Sequence, residues 1–192
     1  MADTPSHHLI YGYCRDFVTG ESLVDTDDER IRQQLARFLV ESKGFDREDL
    51  EVRQRIETLF SGQFVTSTID LVVRLAGRRV MIVRYGPGSL VTRERPAVAA
   101  ARVLDPDVWI PLAVVSNGRD AELLDTRGGK VLATGLDNIP SREELLARLK
   151  TLDFAPLIDP GKRERELRVL NAFDRELCCA GQPCPLPGAP EG

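Results

Sequence analysis

Apolar and polar positions along the chain follow two periods, and the first of them marks a helix. Residues 31–39 carry apolar side chains at helical spacing, which predicts one buried helix face. Thr26 followed by Glu29 fits a capping box at the start of this helix, where each side chain satisfies a free backbone N–H. Lys43-Gly44 fits the end of the helix, with a basic last turn and a glycine beyond it.

Strand periodicity dominates the middle of the chain. Residues 69–75 alternate between apolar and polar positions, Ala76-Gly77 interrupts them, and residues 80–83 are again apolar. Two such runs joined by a short glycine-containing link predict a β-hairpin. Asn117-Gly118 and Gly128-Gly129 predict the turns of two further hairpins.

Three more helices are predicted from capping residues and amphipathic spacing. Thr92 is expected to cap a helix of small residues, with Pro96 in its first turn, where proline is tolerated. Ser141 and Glu144 predict a second capping box. Residues 162–177 predict a charged amphipathic helix whose inward side chains are Leu167, Leu170 and Phe173.

The order of these elements predicts an α/β fold with a mixed sheet. A weaker alternation over residues 50–56 adds a strand ahead of the first hairpin. We expect an N-terminal arm over residues 1–25, a single domain over residues 26–177, and a flexible Cys/Pro/Gly-rich tail over residues 178–192.

Composition sets few limits on function. The 192 residues carry a formal net charge of −4, so contact with DNA requires a local basic patch. Both histidines, His7 and His8, lie near the start, which disfavours a nucleophile–histidine or multi-histidine metal site in the core. No apolar run approaches the roughly 20 residues of a membrane span, and no signal-peptide pattern is present. We expect a soluble, cytoplasmic protein without a membrane partner.

Three stretches resemble the N-terminal nuclease domain of type I restriction enzyme R subunits. Thr26–Gln34 and the following Leu39–Phe45 are similar to that family's opening acid-x-x-Arg-Gln helix. Ile69–Val73 is similar to its Asp-hydrophobic-hydrophobic strand, and Val114–Gly118 is similar to its Thr-Asn-Gly turn. The order and spacing of the three stretches together carry the resemblance, over roughly residues 26–135.

The resemblance implies a restriction-endonuclease-like fold, a central mixed sheet flanked by helices, with the PD-(D/E)xK site. In that site an Asp on one strand and a Glu-x-Lys on the next hold Mg²⁺ and activate water. This sequence keeps Asp70 and Glu29 as remnant catalytic residues. Aligning the apolar run places Arg84 at the Glu position and Gly86 at the Lys position, so the resemblance implies a degenerate site.

Three functions remain open. The favoured one is a stand-alone, inactive nuclease-like domain in a defence or repair setting, binding DNA or a restriction or repair protein. There Asp70 orients Arg84, while Arg84, Arg93 and Arg95 contact phosphates. The second is an active Mg-dependent endodeoxyribonuclease in which Glu94 has migrated to the metal site. The third is a protein-interaction scaffold, in which the arginines spread over unrelated surfaces.

Several candidate residues also have plain structural explanations. Glu29 is either a capping residue or a metal ligand, and Asp70 is either a surface acid or a remnant ligand. Four cysteines form a possible iron–sulfur or zinc site, because one early and three late thiolates suit such a centre. The alternative is free thiols in a mobile tail. The four are Cys14, Cys178, Cys179 and Cys184.

Overall fold

The computed structural model describes residues 10–156 and 159–175. Its strands are β1 (Ile10–Arg15), β2 (Ser22–Thr26), β3 (Leu50–Phe60), β4 (Gln63–Leu75), β5 (Arg78–Tyr85), β6 (Leu112–Ser116), β7 (Ala121–Asp125) and β8 (Lys130–Thr134). Its α-helices are α1 (Asp27–Glu41), α2 (Val91–Val103), α3 (Arg142–Arg148) and α4 (Pro160–Arg175).

Six strands form one mixed sheet in the order β3-β4-β5-β6-β7-β8. β5 and β6 pair in parallel, with α2 as the connection between them, and the other neighbours are antiparallel. β1 and β2 form a separate antiparallel pair. The predicted α/β fold with a mixed sheet is confirmed.

Helices cover both faces of this sheet and bury two apolar clusters. On one face, Leu39 of α1 and Leu145 of α3 share a cluster with Met81. On the other face, Ala99 of α2 and Leu170 of α4 share a cluster with Ile82. Because the central strands are buried on both faces, their sequences are continuous apolar runs.

Turn and capping signals located these elements well. The turns at Ala76-Gly77, Asn117-Gly118 and Gly128-Gly129 each join two antiparallel strands, as predicted. At the start of α3, Ser141 Oγ accepts from the Glu144 N–H at 3.2 Å, and Glu144 Oε2 accepts from the Ser141 N–H at 2.8 Å. This predicted capping box is confirmed.

The predicted start of α2 is wrong. The helix begins at Val91 with Leu90 as its N-cap, and no side chain caps it. Thr92 Oγ instead donates to the Ser89 carbonyl at 3.0 Å. Pro96 therefore lies in the second turn, where it removes one helical hydrogen bond.

The last helix begins two residues before its predicted start, at Pro160, and is described to Arg175, whereas residues 176 and 177 of the prediction lie outside the described residues. Leu170 is fully buried as expected. Leu167 is half-buried, whereas Phe173 is 40% exposed and does not face inward.

Two strand features carry weaker sequence signals. The β1–β2 pair occupies residues 10–26, where the sequence shows no clear period. β3 continues to Phe60 and pairs with β4 around a turn at Ser61-Gly62, which extends the sheet into a two-stranded arm. Both turn residues have positive φ, 50° and 76°.

The side-chain alternation of β4 changes phase at Asp70. Ile69 belongs to the cluster under α2 and α4, whereas Leu71 belongs to the cluster under α1. Strict alternation over residues 69–75 would place Asp70 on the face opposite both Ile69 and Leu71, and the change of phase contradicts this arrangement. On β3, Arg53 lies between the pairs that flank Asp70 and has a left-handed φ of 49°, so the irregularity spans both strands.

Candidate functional site

Asp70 is the centre of a polar cluster between the sheet and α1. Its side chain is 4% exposed. Oδ1 accepts from Arg32 Nε at 2.6 Å, and Oδ2 accepts from the Tyr85 backbone N–H at 2.6 Å. Each carboxylate oxygen thus has a donor from the chain itself.

Arg32 lies between several acids and an aromatic ring. Its Nη1 is 3.8 Å from Glu29 Oε2, and its guanidinium carbon is 5.5 Å from the centre of the Tyr85 ring. Burial lowers the pKa of Arg32, but Asp70 and then Glu29 and Asp28 raise it by more, so the net shift is upward. Arg32 is therefore a permanent cation beside Asp70.

Tyr85 joins the cluster through both its backbone and its hydroxyl. The hydroxyl donates to Asp28 Oδ1 at 2.9 Å. Burial and this hydrogen bond raise the pKa of Tyr85 to about 12, so the phenol stays protonated at neutral pH.

Glu29 is part of the cluster and not half of a capping box. Thr26 Oγ does accept from the Glu29 N–H at 3.1 Å, which confirms the helix start. The Glu29 carboxylate, however, accepts from Gln33 Nε2 at 2.8 Å, one turn further along α1. The Glu29 carboxylate contacts Gln33 and Arg32 in place of the Thr26 backbone N–H that a capping box requires.

Asp16 is a buried acid that the sequence pattern did not single out. It accepts from the Val18 and Thr19 N–H groups at 2.9 and 2.8 Å, from Gln33 Nε2 at 3.1 Å, and from Arg53. Burial raises the pKa of Asp16, but these donors lower it by more. Asp16 thereby ties the loop between β1 and β2 to α1 and to the irregular residue of β3.

The β5 side chains beside Asp70 are not the pair that the sequence alignment placed there. Val83 and Tyr85 face the α1 layer with Asp70. Arg84 points to the other face, where its Nη2 donates to Asp174 of α4 at 3.0 and 3.1 Å. Among the described residues Arg84 has no bond to Asp70. The predicted Asp70–Arg84 pair is wrong because neighbouring strand residues face opposite sides.

Val83 and Tyr85 lie on the same face of β5 as Asp70, whereas Arg84 lies on the other face. Gly86 follows the strand, and a Cβ there would lie 3.1 Å from Arg93 Nε. The close approach of Arg93 explains why a residue without a side chain suits position 86.

The candidate phosphate-binding arginines are spread over different contacts. Arg93 Nη2 donates to the Pro87 carbonyl at 3.4 Å. Arg95 lies 2.5 Å from Glu166 of α4, and Arg102 lies 2.7 Å from the same carboxylate. These contacts lie on the α2–α4 side of the sheet, so the arginines do not converge on Asp70.

Glu94, the proposed migrated ligand, lies beside Glu122 of β7. Burial first, and then the charges of Glu94 and Asp120, raise the pKa of Glu122. In the described ranges no group of three or more His, Cys, Asp or Glu side chains could hold a metal ion. The arrangement that the active-enzyme hypothesis requires around Asp70 is thus not formed there.

The Asn117-Gly118 turn packs against the first helix. Gly118 has a φ of 85°, and a Cβ there would lie 2.6 Å from Ile31 Cγ2. Asn117 Nδ2 donates to the Gly88 carbonyl at 3.1 Å. The turn therefore holds α1 and the loop after β5 in place at this end of the sheet.

Of the cysteine set, Cys14 alone is described. It is half-buried in β1 and has no disulfide partner within the described ranges, and burial, then Asp25, raise its pKa. Cys178, Cys179 and Cys184 lie outside the described residues, as do His7 and His8.

A mixed six-stranded sheet between two helix layers, with a buried acid where β4 meets β5, is the α/β architecture of the restriction-endonuclease-like class. Residues 27–140 match the family model for the type I restriction enzyme R protein N terminus. The match covers more than half of the chain, and the chain belongs to this family. No curated protein and no solved structure matches it significantly. In the described ranges no helix is long and apolar enough to cross a membrane.

Proposed function

We propose that this chain is a nuclease-fold domain that does not cleave DNA and that works by binding a partner protein. The observation that carries the first part is the occupation of both Asp70 oxygens, by Arg32 and by the Tyr85 backbone. A divalent cation binds carboxylate oxygens directly, so it would compete with both of these donors.

The residues around Asp70 do not fit Mg²⁺. Val83 has no side-chain oxygen, and the Tyr85 hydroxyl already donates to Asp28. A metal ion would have to displace the Arg32 hydrogen bond, and hydrogen bonds to charged groups are worth about 1.5–3 kcal/mol. Arg32 would then remain as a positive charge beside the ion.

The arginine distribution favours a protein partner over DNA. Arg84, Arg95 and Arg102 are engaged by acids of α4, and the net charge is −4. A basic track for a phosphate backbone therefore has few free cations on this face.

An apolar surface is available on the two-stranded arm. Leu59 and Phe64 lie directly opposite each other near its tip and are 65% and 63% exposed. Both side chains lie on the face of the arm away from α4, because strand residues alternate between faces. On the other face, Asn171 of α4 donates a hydrogen bond to the Thr58 hydroxyl. Contiguous exposed apolar side chains support a protein-binding surface at this position.

The first experiment tests cleavage. Labelled single- and double-stranded DNA is incubated with the chain in Mg²⁺, in Mn²⁺ and in chelator, and gels score both cleavage and retardation. We expect intact DNA under all conditions. Metal-dependent cleavage that is abolished by Asp70→Asn but kept by Asp174→Asn would overturn the proposal, because Asp174 is a buried, arginine-paired acid away from the site.

The second experiment tests the kind of partner. The immobilised chain is compared with the Leu59→Ser/Phe64→Ser variant and with Leu132→Ser, which alters a 56% exposed leucine on β8. We expect one protein to be retained by the wild type and by Leu132→Ser and lost from the double variant. Retention of nucleic acid, weakened by Arg84→Ala, would instead favour DNA binding.

A further inference from the structure

A groove of about 440 Å³ lies at the turn between β4 and β5, at the other end of β5 from Tyr85. Its walls include the hairpin residues Arg74, Arg78 and Arg79, and the aromatic ring of Phe154. Its volume falls within the range of small-molecule pockets. The groove shares no lining residue with the Asp70 cluster.

The hairpin register brings like charges together. Arg74 pairs directly with Arg79, and Leu75 pairs with Arg78, after an irregularity between Val73 and Arg74. Like charges directly opposite each other on two strands are destabilising. The Arg74–Arg79 pair is therefore unfavourable in the free protein.

Only part of this charge is compensated by the described residues. Arg79 donates from Nε and Nη2 to Glu51 Oε2 at 2.9 and 2.6 Å. Arg78 lies 3.4 Å from the centre of the Phe154 ring. Among the described residues, neither Arg74 nor Arg78 forms an ion pair within 4.0 Å.

Two acids that follow α2, Asp105 and Asp107, also line the groove. Asp105 Oδ1 accepts from the Asp107 and Val108 N–H groups at 3.0 and 3.3 Å, which shapes the loop after α2. Asp107 is exposed at the rim. Arg74 and Arg78 are thus two cations without an anionic partner among the described residues. The Asp107 carboxylate lines the same groove and can accept hydrogen bonds.

We propose that this groove binds a small phosphomonoester that also carries hydroxyl or amino donors, such as a nucleoside monophosphate. Two guanidinium forks match the dianionic phosphate in charge and geometry. Asp107 accepts from the donor groups of the ligand. The acids also repel a polyanion, so a compact ligand fits the groove better than a nucleic-acid strand. The proposal is independent of the Asp70 site.

The test is calorimetric titration of the full chain with inorganic phosphate, a nucleoside monophosphate and a short single-stranded oligonucleotide. We expect saturable binding of the mononucleotide, weaker binding of phosphate, and weaker binding of the oligonucleotide. Arg74→Gln and Arg78→Gln should each weaken mononucleotide binding by about tenfold or more, as expected for lost hydrogen bonds to a charged group. Arg127→Gln, at an exposed arginine outside the groove, should not.

A second readout separates a binding role from a merely structural one. Without ligand, Arg74→Gln should raise the melting temperature, because it removes the like-charge pair with Arg79. The absence of saturable mononucleotide binding, or binding unchanged in both groove variants, would overturn the proposal. Tighter binding of the oligonucleotide than of the mononucleotide would also overturn it and point to a nucleic-acid backbone.

Discussion

Arg32 Nε and Asp70 Oδ1 are joined by a hydrogen bond of 2.6 Å that spans the interface between α1 and the central sheet. The contact fixes the helix that carries Glu29 against the strand that carries Asp70. Because Asp70 is buried and Arg32 is about one-third exposed, the pair is only partly screened by water.

Loss of this pair should destabilise the fold. Arg32→Gln is expected to lower the free energy of unfolding by about 2–3 kcal/mol, since it leaves a buried carboxylate oxygen without a charged donor. Urea unfolding measures the change. Arg30→Gln is the control, because Arg30 pairs with Asp25 at the surface and should cost less than about 1 kcal/mol. Equal effects of the two variants would contradict the importance of the Asp70 contact.

Arg84 should stabilise the fold through its ion pair with α4. Arg84→Ala leaves Asp174 buried without its cation, and we expect a loss of about 3 kcal/mol, as for other broken buried pairs. Hydrogen exchange should show the largest loss of amide protection in α4, and little in α1. If α1 lost protection instead, Arg84 would be coupled to the Asp70 cluster after all.

Glu122 should make stability depend on pH. Its pKa is raised in the folded chain by burial and by Glu94, so its stabilising contribution is present at acid pH and is lost as pH rises through the raised value. Glu122→Gln should therefore unfold at a higher temperature than the wild type near neutral pH, and the difference should shrink towards about pH 4. Glu57→Gln, at an exposed strand position, should follow the wild type at both pH values. A constant difference would argue against the shift.

The turn that contacts α1 should require glycine. Gly118→Ala adds a Cβ 2.6 Å from Ile31 Cγ2 at a positive φ, and we expect a cost of about 2–4 kcal/mol from backbone strain and overpacking together. Gly129 also has a positive φ, of 68°, but a Cβ there meets nothing within 4 Å. Gly129→Ala should therefore cost only about 1 kcal/mol. Thermal unfolding compares the two, and similar losses would mean that the Ile31 contact yields easily.

The elements that sequence analysis located are those with strong local signals. The Asn117-Gly118 turn and the Ser141 capping box depend on residues close together in the chain, so their chemistry is visible in the sequence. The β1–β2 pair was missed because glycine and polar residues break its alternation. The Ser61-Gly62 turn was missed because the strands around it alternate only weakly.

Only some residues of the Asp70 site could be predicted, because most of its bonds are not local in the sequence. Asp70 and Glu29 were identified, but Arg32, Asp16 and Asp174 were not, because their bonds join residues far apart in the chain. The orientation of β5 was also hidden. Val80 to Val83 are all buried, so their hydrophobicity does not show which side of the sheet Arg84 faces.

The change of phase at Asp70 restricts how the two-stranded arm can vary in length. Residues before Asp70 face α4 at odd numbers, as Val65 and Ile69 do, and residues after it face α1 at odd numbers, as Leu71 does. Inserting one residue in each strand between Asp70 and the Leu59–Phe64 pair would turn Leu59 and Phe64 beneath α4 and bring Thr58 to the surface. Homologous chains should therefore lengthen or shorten this part of the arm by even numbers of residues per strand.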